Sequence, residues 1–567
     1  LKDLPRRFLL LFLIITGVAC GFAAVMFHWL VDFMTSVLIE PALAQRGFFR
    51  TVAVIAIPAL VAALLALAMG RFAPMASGAN LARVRRAYQD PAILDARSVT
   101  ATLAGTPISL GSGAPLGPEG PTVVISSGLA VAIARLLGLP KRMWRGMIPV
   151  GTAAGIAAIF NTPITGVVFA MEEVMGSASK GVLGGTIVAA VAAAVVERMI
   201  LGGDPILRAP SGTWTTPMEL VGFLLVGVIA GIVSGAAMRV LVRARGSVRK
   251  RLRSPVLRAA AGGAAVGVIG IYIPSILGVG YDTTSLFLRG GGTFAEASMA
   301  FGGKAIAVVL ALSAGLVGGM FAPSLFLGAA LGATVGHGTL LIFPDANIYT
   351  GAYALVGMGA FFGGLLRVPI ASVLIVFEVT GDYGLILPLM LAVAVSTSLS
   401  RLISPHTLTE MQMAEEGWRG SPTGDPLARA LVSDAMSREV VTVSPDARLI
   451  DIAANVSQRH NQYPVVDRDG RLLGLLSGKS IAEAVRGSDP EKTVASVVEA
   501  AKLVVRPEDS IPEVIRRMHA AGIDRCPVID EEKRVVGFIS PSDMIGVRLR
   551  SSSEDDTIDR HFDRLIG

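Results

Sequence analysis

Long runs without any acidic or basic side chain constrain the fold of this chain more than any other feature. The chain has 567 residues, of which 52% are hydrophobic and 16% are charged, and its mean hydropathy is +0.63. A helix of such a run can cross about 30 Å of hydrocarbon. Six runs are long enough: Phe8 to Val31, Thr51 to Gly70, Leu220 to Met238, Ala259 to Tyr281, Ala346 to Leu366 and Tyr383 to Ser400. The longer run from Ala305 to Pro344 has room for two segments with a break. The pattern predicts a polytopic membrane protein.

The first run predicts the orientation of the chain. It lacks the small-residue cleavage pattern of a signal peptide, so we interpret it as the first membrane helix. The basic residues just before it predict a cytoplasmic N-terminus. A formal net charge of +7 is typical of basic inner-face loops and does not indicate nucleic-acid binding. With only Cys20 and Cys526, we expect neither a disulfide framework nor a cysteine metal site.

The chain divides into two parts where hydropathy falls after Ile403. We predict an all-α polytopic transmembrane domain over residues 1–410 and a linker over 411–430. A cytoplasmic α/β domain over 431–550 and a C-terminal tail over 551–567 follow. The soluble part alternates short β-rich runs with amphipathic helix patterns, which is typical of an α/β domain.

An internal repeat organises the membrane part. The segment that ends at Glu172 recurs, with an offset of 206 residues, in the segment that ends at Glu378. Upstream, Gly117 corresponds to Gly319 with an offset of 202 residues. Related halves with Gly- and Pro-interrupted apolar segments are typical of transporters with discontinuous helices. Helix N-termini freed by such breaks can bind an anion without a full positive charge.

The repeat separates the acidic residues into two classes. Glu172 and Glu378 occur in both halves, which favours a structural role in capping or pairing near a helix end. Glu119 and Glu173 occur in one half only. An ionisable side chain at membrane depth costs roughly 3 kcal/mol or more unless it is paired, hydrated or protonated. Glu119 and Glu173, which have no acidic counterpart in the other half, are therefore the candidates for a functional role.

Four stretches, in order and at matching spacing, resemble motifs of the CLC family of chloride channels and chloride/proton exchangers. Gly117 to Pro121 resembles the Gly-Arg/Lys-Glu-Gly-Pro pattern of its pore. Gly319 to Pro323 resembles its Gly-x-Phe-x-Pro pattern, and Ala76 to Asn80 resembles its serine loop. Phe160 to Glu173 is similar to the segment that carries the proton-pathway glutamate in exchangers. The resemblance covers the whole membrane part.

This resemblance implies a homodimer with one anion path in each subunit. Glu119 would be the gating glutamate and Glu173 the internal proton acceptor. An ionised carboxylate competes with an anion for the same donors, so protonation of Glu119 would link anion occupancy to proton uptake. The implied anion-binding residues are Ser77, Gly78, Gly120, Gly319, Met320, Phe321, Ala322 and Thr409.

Three departures from the family pattern leave the mechanism open. Thr409 stands where the family has a pore tyrosine, which leaves a hydroxyl but removes the bulk of the inner gate. Pro118 replaces a basic residue beside the gating glutamate, and Asn80 and Leu81 replace a Pro-Glu pair in the serine loop. A proton-coupled exchanger is the leading interpretation, and an uncoupled or loosely coupled anion channel is the alternative.

Each candidate residue also has a structural interpretation. Ser77 could bond its own backbone in a Gly-rich turn. The ring of Phe321 could pack against the core or against lipid. Glu173 could be a neutral buried acid or the partner of a nearby base.

The C-terminal part resembles a tandem pair of CBS motifs, which often bind adenine nucleotides through a Ser/Thr-x-x-Asp at a strand end. The second copy has this pattern at Ser540 and Asp543, whereas Ser477 to Ser480 in the first copy lacks the acid. At most one competent nucleotide site is therefore expected. Alternatively, Asp543 caps a helix.

These observations predict transport of chloride or a similar monovalent anion together with protons, by a protein of a prokaryotic plasma membrane. Transport needs no cofactor in this interpretation, and an adenine nucleotide could bind the CBS pair. A CBS-regulated divalent-cation channel would need clustered acidic ligands in the membrane part, which the sequence does not indicate. No nucleophile, base and orienting group occur together, so we do not expect an enzyme.

Overall fold

The computed structural model describes residues 6–73, 80–139, 141–176, 180–203, 207, 217–345, 348–381, 383–415, 430–455, 462–486 and 491–546. These residues form two compact units, 6–415 and 430–546.

Within its described residues, the first unit consists of α-helices joined by short turns. They are α1 (Arg6–Ala44), α2 (Gly47–Phe72), α3 (Asn80–Ala87), α4 (Ala96–Gly111), α5 (Glu119–Leu136), α6 (Lys141–Phe160), α7 (Pro163–Phe169), α8 (Lys180–Leu201), α9 (Pro217–Arg251), α10 (Pro255–Tyr272), α11 (Tyr281–Leu288), α12 (Phe294–Ala314), α13 (Phe321–Ile342), α14 (Thr350–Leu366), α15 (Pro369–Thr380), α16 (Ile386–Ile403) and α17 (Leu408–Glu415). Among these residues, 10 helices are long and apolar enough to cross a membrane. The prediction of an all-helical polytopic domain is confirmed.

The predicted break in the longest uncharged run is also confirmed. Within it, α12 ends at Ala314 and α13 begins at Phe321. Gly315 ends α12 with φ +87°, a left-handed conformation that glycine adopts without steric cost.

Two other uncharged runs do not form the single spans that were expected. The Ala259 to Tyr281 run divides, because α10 ends at Tyr272 and a 3₁₀ turn, Pro274–Ile276, separates it from α11. The helix of the Ala346 to Leu366 run, α14, has 17 residues and is therefore only about 25 Å long. All of its residues are buried, so this helix lies inside the protein and does not face lipid.

Glycines allow the buried helices to approach closely. Gly328 of α13 and Gly357 of α14 face each other, and a Cβ on either one would overlap the backbone carbonyl of the other. Small residues at crossings are typical of helix packing in membranes, where van der Waals contact drives association. The backbones of α13 and α14 are thereby in direct contact at this crossing.

The two halves contact each other reciprocally at equivalent positions of the repeat. The carboxylate of Glu172 accepts hydrogen bonds from two backbone N–H groups at the start of α15, at 3.2 and 2.9 Å. The carboxylate of Glu378 accepts from two backbone N–H groups at the start of α7, at 3.0 and 2.6 Å. Each acid therefore caps a helix of the other half, as expected for halves related by a local two-fold axis. The predicted structural role of this pair is confirmed.

The second unit contains two copies of one α/β arrangement. Its elements are α18 (Val432–Ala435), α19 (Leu449–Asn455), β1 (Gln462–Val466), β2 (Leu472–Ser477), α20 (Gly478–Arg486), α21 (Ile511–Ala521), β3 (Cys526–Ile529) and β4 (Val535–Ile539). β1 pairs antiparallel with β2, and β3 pairs antiparallel with β4. The two copies meet where Arg471 pairs with Arg534. The strands and helices predicted for this domain are confirmed.

Candidate anion and proton pathway

Two helix N-termini meet at the centre of the first unit. α5 begins at Glu119 and α13 begins at Phe321. Just before them, Gly117 and Gly319 pair as an antiparallel bridge, with N–H···O distances of 2.9 and 2.7 Å. The predicted correspondence of these two glycines is therefore also a physical contact. The positive ends of two helix dipoles converge at this bridge, which is a favourable position for an anion.

Little space is left for a side chain at either position of the bridge. A Cβ on Gly117 would collide with the carboxylate of Glu119. A Cβ on Gly319 would lie 3.0 Å from the backbone nitrogen of Gly120. The glycines that the sequence pattern selects thus let the two chain segments approach.

The carboxylate of Glu119 occupies the N-terminus of α13. Its side chain is fully buried, with 0% exposure. Oε2 accepts a hydrogen bond from the backbone N–H of Ala322 at 3.2 Å, and Oε1 accepts one from the hydroxyl of Tyr281 at 2.9 Å. The N–H groups of a first helical turn have no carbonyl partner within the helix. The carboxylate therefore takes donors that a bound anion would use.

The ring of Phe321 packs within an aromatic cluster. Its centroid lies 5.0 Å from that of Phe160, 5.6 Å from that of Phe169 and 4.4 Å from that of Phe362. The side chain of Phe321 therefore packs in the protein core, as its structural interpretation predicts. The backbone of Phe321 and Ala322 still provides the first turn of α13, which follows the N-cap residue Met320.

The second candidate acid, Glu173, lies in a π-helical turn, Ala170–Met175, which directly follows α7. π-helical turns are rare in proteins, and those that occur are often found at functional sites. Glu173 is buried, and its Oε1 accepts a hydrogen bond from the hydroxyl of Thr409 at 2.7 Å. Thr409 lies in the first turn of α17 and is itself buried. The structure thus brings together the predicted proton acceptor and the residue that is predicted to replace the pore tyrosine.

The predicted serine loop falls partly outside the described residues, which exclude Ser77 and Gly78. The described part begins at Asn80, the first residue of α3. Its Nδ2 donates to the carbonyl of Gly318 at 3.4 Å, and its Oδ1 accepts from Arg83 at 3.4 Å. The departure at this position therefore links α3 to the chain just before the glycine bridge.

A cavity of about 470 Å³ lies beside the segment that carries Glu119. Pro118 and Tyr281 line it near Glu119. Its other ionisable lining residues are His28, Asp32, Glu40 and Asp282. The Nε2 atom of His28 lies 3.3 Å from a carboxylate oxygen of Asp32. The lining is therefore rich in carboxylates, consistent with the absence of a basic residue at position 118.

In the second unit, Ser540 and Asp543 cap the helical segment over residues 541–546, which follows β4. One oxygen of Asp543 accepts from the backbone N–H and the hydroxyl of Ser540, at 2.8 and 2.6 Å. The other accepts from the hydroxyl of Ser437 at 2.9 Å. The capping interpretation is therefore confirmed. These residues also line a cavity of about 240 Å³ with Gln462, whose buried Oε1 has no hydrogen-bond partner among the described residues. An unpaired acceptor of this kind fits a ligand with a donor group.

Comparison with known sequences adds a direct assignment. A family profile described as voltage gated chloride channel matches residues 61–401, and a CBS domain profile matches residues 432–487 and 494–550. The chain belongs to the CLC family. The predicted resemblance, including the tandem CBS pair, is confirmed.

Individual CLC relatives agree with this assignment. The H(+)/Cl(-) exchange transporter ClcA of Vibrio cholerae is 30% identical over 429 residues, which cover 72% of this chain and 90% of that protein. A putative chloride channel protein, ClcB-like, from Ralstonia nicotianae is 34% identical over 304 residues, covering 53% of this chain and 71% of that protein. These relatives are transport proteins, and this CLC chain is an integral membrane protein.

Solved CLC structures share the fold. A slow cyanobacterial Cl-/H+ antiporter matches with a TM-score of 0.66 at 23% identity, over 73% of this chain and 98% of that one. A eukaryotic CLC transporter matches with a TM-score of 0.66 at 18% identity, over 94% of this chain and 97% of that one. Both similarities concern the fold.

The divalent-cation alternative required clustered acidic ligands. Within the described ranges, no group of three or more His, Cys, Asp and Glu side chains is arranged to hold a metal ion.

Proposed function

We propose that this protein exchanges chloride for protons across a membrane, with Glu119 as the protonatable gate. One observation carries the proposal: the Glu119 carboxylate lies fully buried at the N-terminus of α13, bonded to the Ala322 N–H. When ionised, it excludes an anion from these donors. When protonated, it loses most of its attraction to them, and an anion can replace it.

The proposed anion site consists of the two converging helix N-termini and the serine loop. Gly120, Gly319, Met320, Phe321 and Ala322 supply backbone around the bridge, where the helix dipoles favour an anion. The resemblance to the CLC family also assigns Ser77 and Gly78, which lie outside the described residues, and Thr409 to this site. A site without a full positive charge holds an anion but also releases it.

Glu173 is the proposed internal proton acceptor. Its burial and its hydrogen bond from Thr409 keep it in a defined position away from bulk water. A proton that leaves Glu119 inward would reach the cytoplasm through this acid.

A loosely coupled anion channel is the second candidate. It is favoured by Thr409, because a threonine whose hydroxyl is bonded to Glu173 presents less bulk to the pathway than a tyrosine. Without a bulky inner gate, anions could pass while Glu119 is displaced, and each proton would accompany many anions.

We further propose a homodimer in a prokaryotic plasma membrane with the N-terminus and the CBS pair in the cytoplasm. A basic cluster over the C-terminal part of α9 and the start of α10 supports this orientation, because eight arginine or lysine residues and no acid occur in positions 239–258. Size-exclusion chromatography with light scattering would test the dimer, and a monomeric mass would contradict it.

An adenine nucleotide is the proposed ligand of the CBS cavity. Ser437, Ser540 and Asp543 could hold a ribose. The Gln462 Oε1, which has no hydrogen-bond partner in the described part of the chain, could accept from an amino group. Both carboxylate oxygens of Asp543 already accept hydrogen bonds, so ribose hydroxyls would share these acceptors. Calorimetric titration of the full chain with ATP or AMP tests this proposal, and an absence of heat would contradict it.

The transport proposal is tested in liposomes that contain purified protein, with chloride efflux and internal pH recorded together. The wild type is compared with Glu119→Gln and Glu173→Ala. We expect Glu119→Gln to abolish proton movement while chloride flux continues at an altered rate. Unchanged fluxes of both ions in this variant would refute the gate. Chloride flux without a proton signal in the wild type would favour the channel.

A further inference from the structure

Tyr281 contacts the Glu119 carboxylate although no motif marks it. Its hydroxyl donates to Oε1 at 2.9 Å, while the Ala322 N–H donates to Oε2. We infer that Tyr281 is a positioning residue that holds ionised Glu119 in the anion position, and that Lys304 fixes Tyr281 there. The inference rests on the proposed function, because it concerns the gate that this function assigns to Glu119.

Lys304 organises the loop that presents Tyr281. Its side chain is fully buried in α12, with 0% exposure. Nζ donates to the carbonyls of residues 276, 278 and 279 at 3.0, 2.6 and 3.2 Å. Three carbonyl acceptors match the three N–H bonds of an ammonium group. The loop between the 3₁₀ turn and α11 therefore wraps around the amino group of one buried lysine.

Other contacts hold the same loop. Nζ of Lys304 lies 4.9 Å from the centre of the Phe326 ring, within the range of a cation–π interaction. Gly280 immediately precedes Tyr281 with φ +89°, and a Cβ there would lie 2.7 Å from the Phe326 ring. The N–H of Gly278 donates to the carbonyl of Gly113 at 3.2 Å. The backbone of Tyr281 is thus fixed by α12, by α13 and by the end of α4.

This arrangement stabilises the closed gate. A hydrogen bond to a carboxylate away from water is stronger than one between neutral groups. Glu119 must lose the Tyr281 bond before an anion can occupy its position. Tyr281 therefore raises the anion concentration that is needed to displace the gate, and it limits chloride leakage while Glu119 is ionised.

Chloride binding by calorimetry tests the inference in four proteins: wild type, Tyr281→Phe, Glu119→Gln and the double variant. Removing the hydroxyl weakens the competitor of the anion, so we expect Tyr281→Phe to tighten apparent chloride binding about tenfold, which is of the order expected for one hydrogen bond to a charged group. In the Glu119→Gln background, the ionised competitor is gone. There we expect Tyr281→Phe to change binding by less than about twofold.

Tyr349→Phe is the matched control. The Tyr349 hydroxyl also belongs to a partly buried tyrosine, and it donates to the carbonyl of Leu288 at the opposite end of α11, at 2.8 Å. We expect its removal to leave chloride affinity unchanged. Lys304→Met should shift the affinity in the same direction as Tyr281→Phe, without a further shift when the two are combined. If Lys304→Met does not fold, the Tyr281 variants still test whether Tyr281 positions Glu119.

Two results would overturn the role of Tyr281. Weaker chloride binding in both backgrounds would mean that the hydroxyl coordinates the anion itself. An unchanged affinity in Tyr281→Phe would also refute the inference, including the case in which proton movement stops because the hydroxyl relays protons. Failure of the proposed function is a separate result, because it would show as unchanged fluxes of both ions in Glu119→Gln alone.

Discussion

Removal of the Glu378 carboxylate should lower the free energy of unfolding of the membrane domain, because the hydrogen bonds that the carboxylate accepts are lost. The carboxylate accepts three hydrogen bonds at the start of α7, two from backbone N–H groups and one from the hydroxyl of Thr165 at 2.5 Å. Each contributes about 1 kcal/mol net in a half-buried setting. We therefore expect Glu378→Ala to lower the free energy of unfolding by about 3 kcal/mol.

Two further acids provide a graded comparison. Glu172 accepts two hydrogen bonds at the start of α15, so Glu172→Ala should cost about 2 kcal/mol. Glu296 caps its own helix, α12, at an exposed position, so Glu296→Ala should cost less than about 1 kcal/mol.

Thermal unfolding in detergent, followed by the fluorescence of the 4 tryptophans, should therefore rank the variants in that order. An unfolding midpoint of Glu378→Ala equal to that of Glu296→Ala would show that capping between the halves does not stabilise the domain.

Other changes have equally direct consequences. Gly117→Ala forces a Cβ into the Glu119 carboxylate, so we expect chloride flux in liposomes to change while Gly246→Ala, at an open position, leaves it intact. Burial raises the pKa of the Cys526 thiol to about 12; in a Cys20→Ala protein at pH 8, maleimide labelling should therefore occur only after denaturation, and rapid native labelling would contradict this burial. Hydrogen bonds from the Ser98 side chain and backbone lower the pKa of Asp95. Asp95 thus stabilises the fold above its unfolded-state pKa of about 3.9, and the stabilisation is lost as pH falls through the folded-state pKa. The melting-temperature difference between wild type and Asp95→Ala should shrink below about pH 4, and a constant difference would refute this. Asp543→Ala should lower the melting temperature without any nucleotide present, because the carboxylate caps a helix, whereas an unchanged value would contradict that role.

The sequence predicted those features that depend on local pattern. Uncharged runs identified α1 and α2, because a helix that crosses lipid cannot carry unpaired charge. The repeat identified the helix breaks before α5 and α13, because similar glycine- and proline-containing segments occur at corresponding positions of the two halves. The asymmetry of the repeat identified Glu119 as an acid that the shared architecture does not require.

Features that depend on distant contacts could not be predicted in this way. Tyr281 lies 162 residues from Glu119, and Lys304 acts through backbone carbonyls that carry no side-chain signature. The ring partners of Phe321 come from three different helices. The sequence predicts a span at the short buried helix α14, because an uncharged run has the same composition whether protein or lipid surrounds it.

The most direct test of the central claim is proton movement driven by chloride alone. Liposomes with wild-type protein are given an outward chloride gradient, equal internal and external pH, equal potassium on both sides and a potassium ionophore that carries the balancing charge, and internal pH is recorded. Chloride that leaves in exchange for protons should carry protons inward against the proton gradient that develops, so the interior should acidify. Glu119→Gln should abolish the acidification while chloride still leaves. No acidification in the wild type, or the same acidification in Glu119→Gln, would contradict the account of Glu119 as a gate that exchanges a proton for an anion.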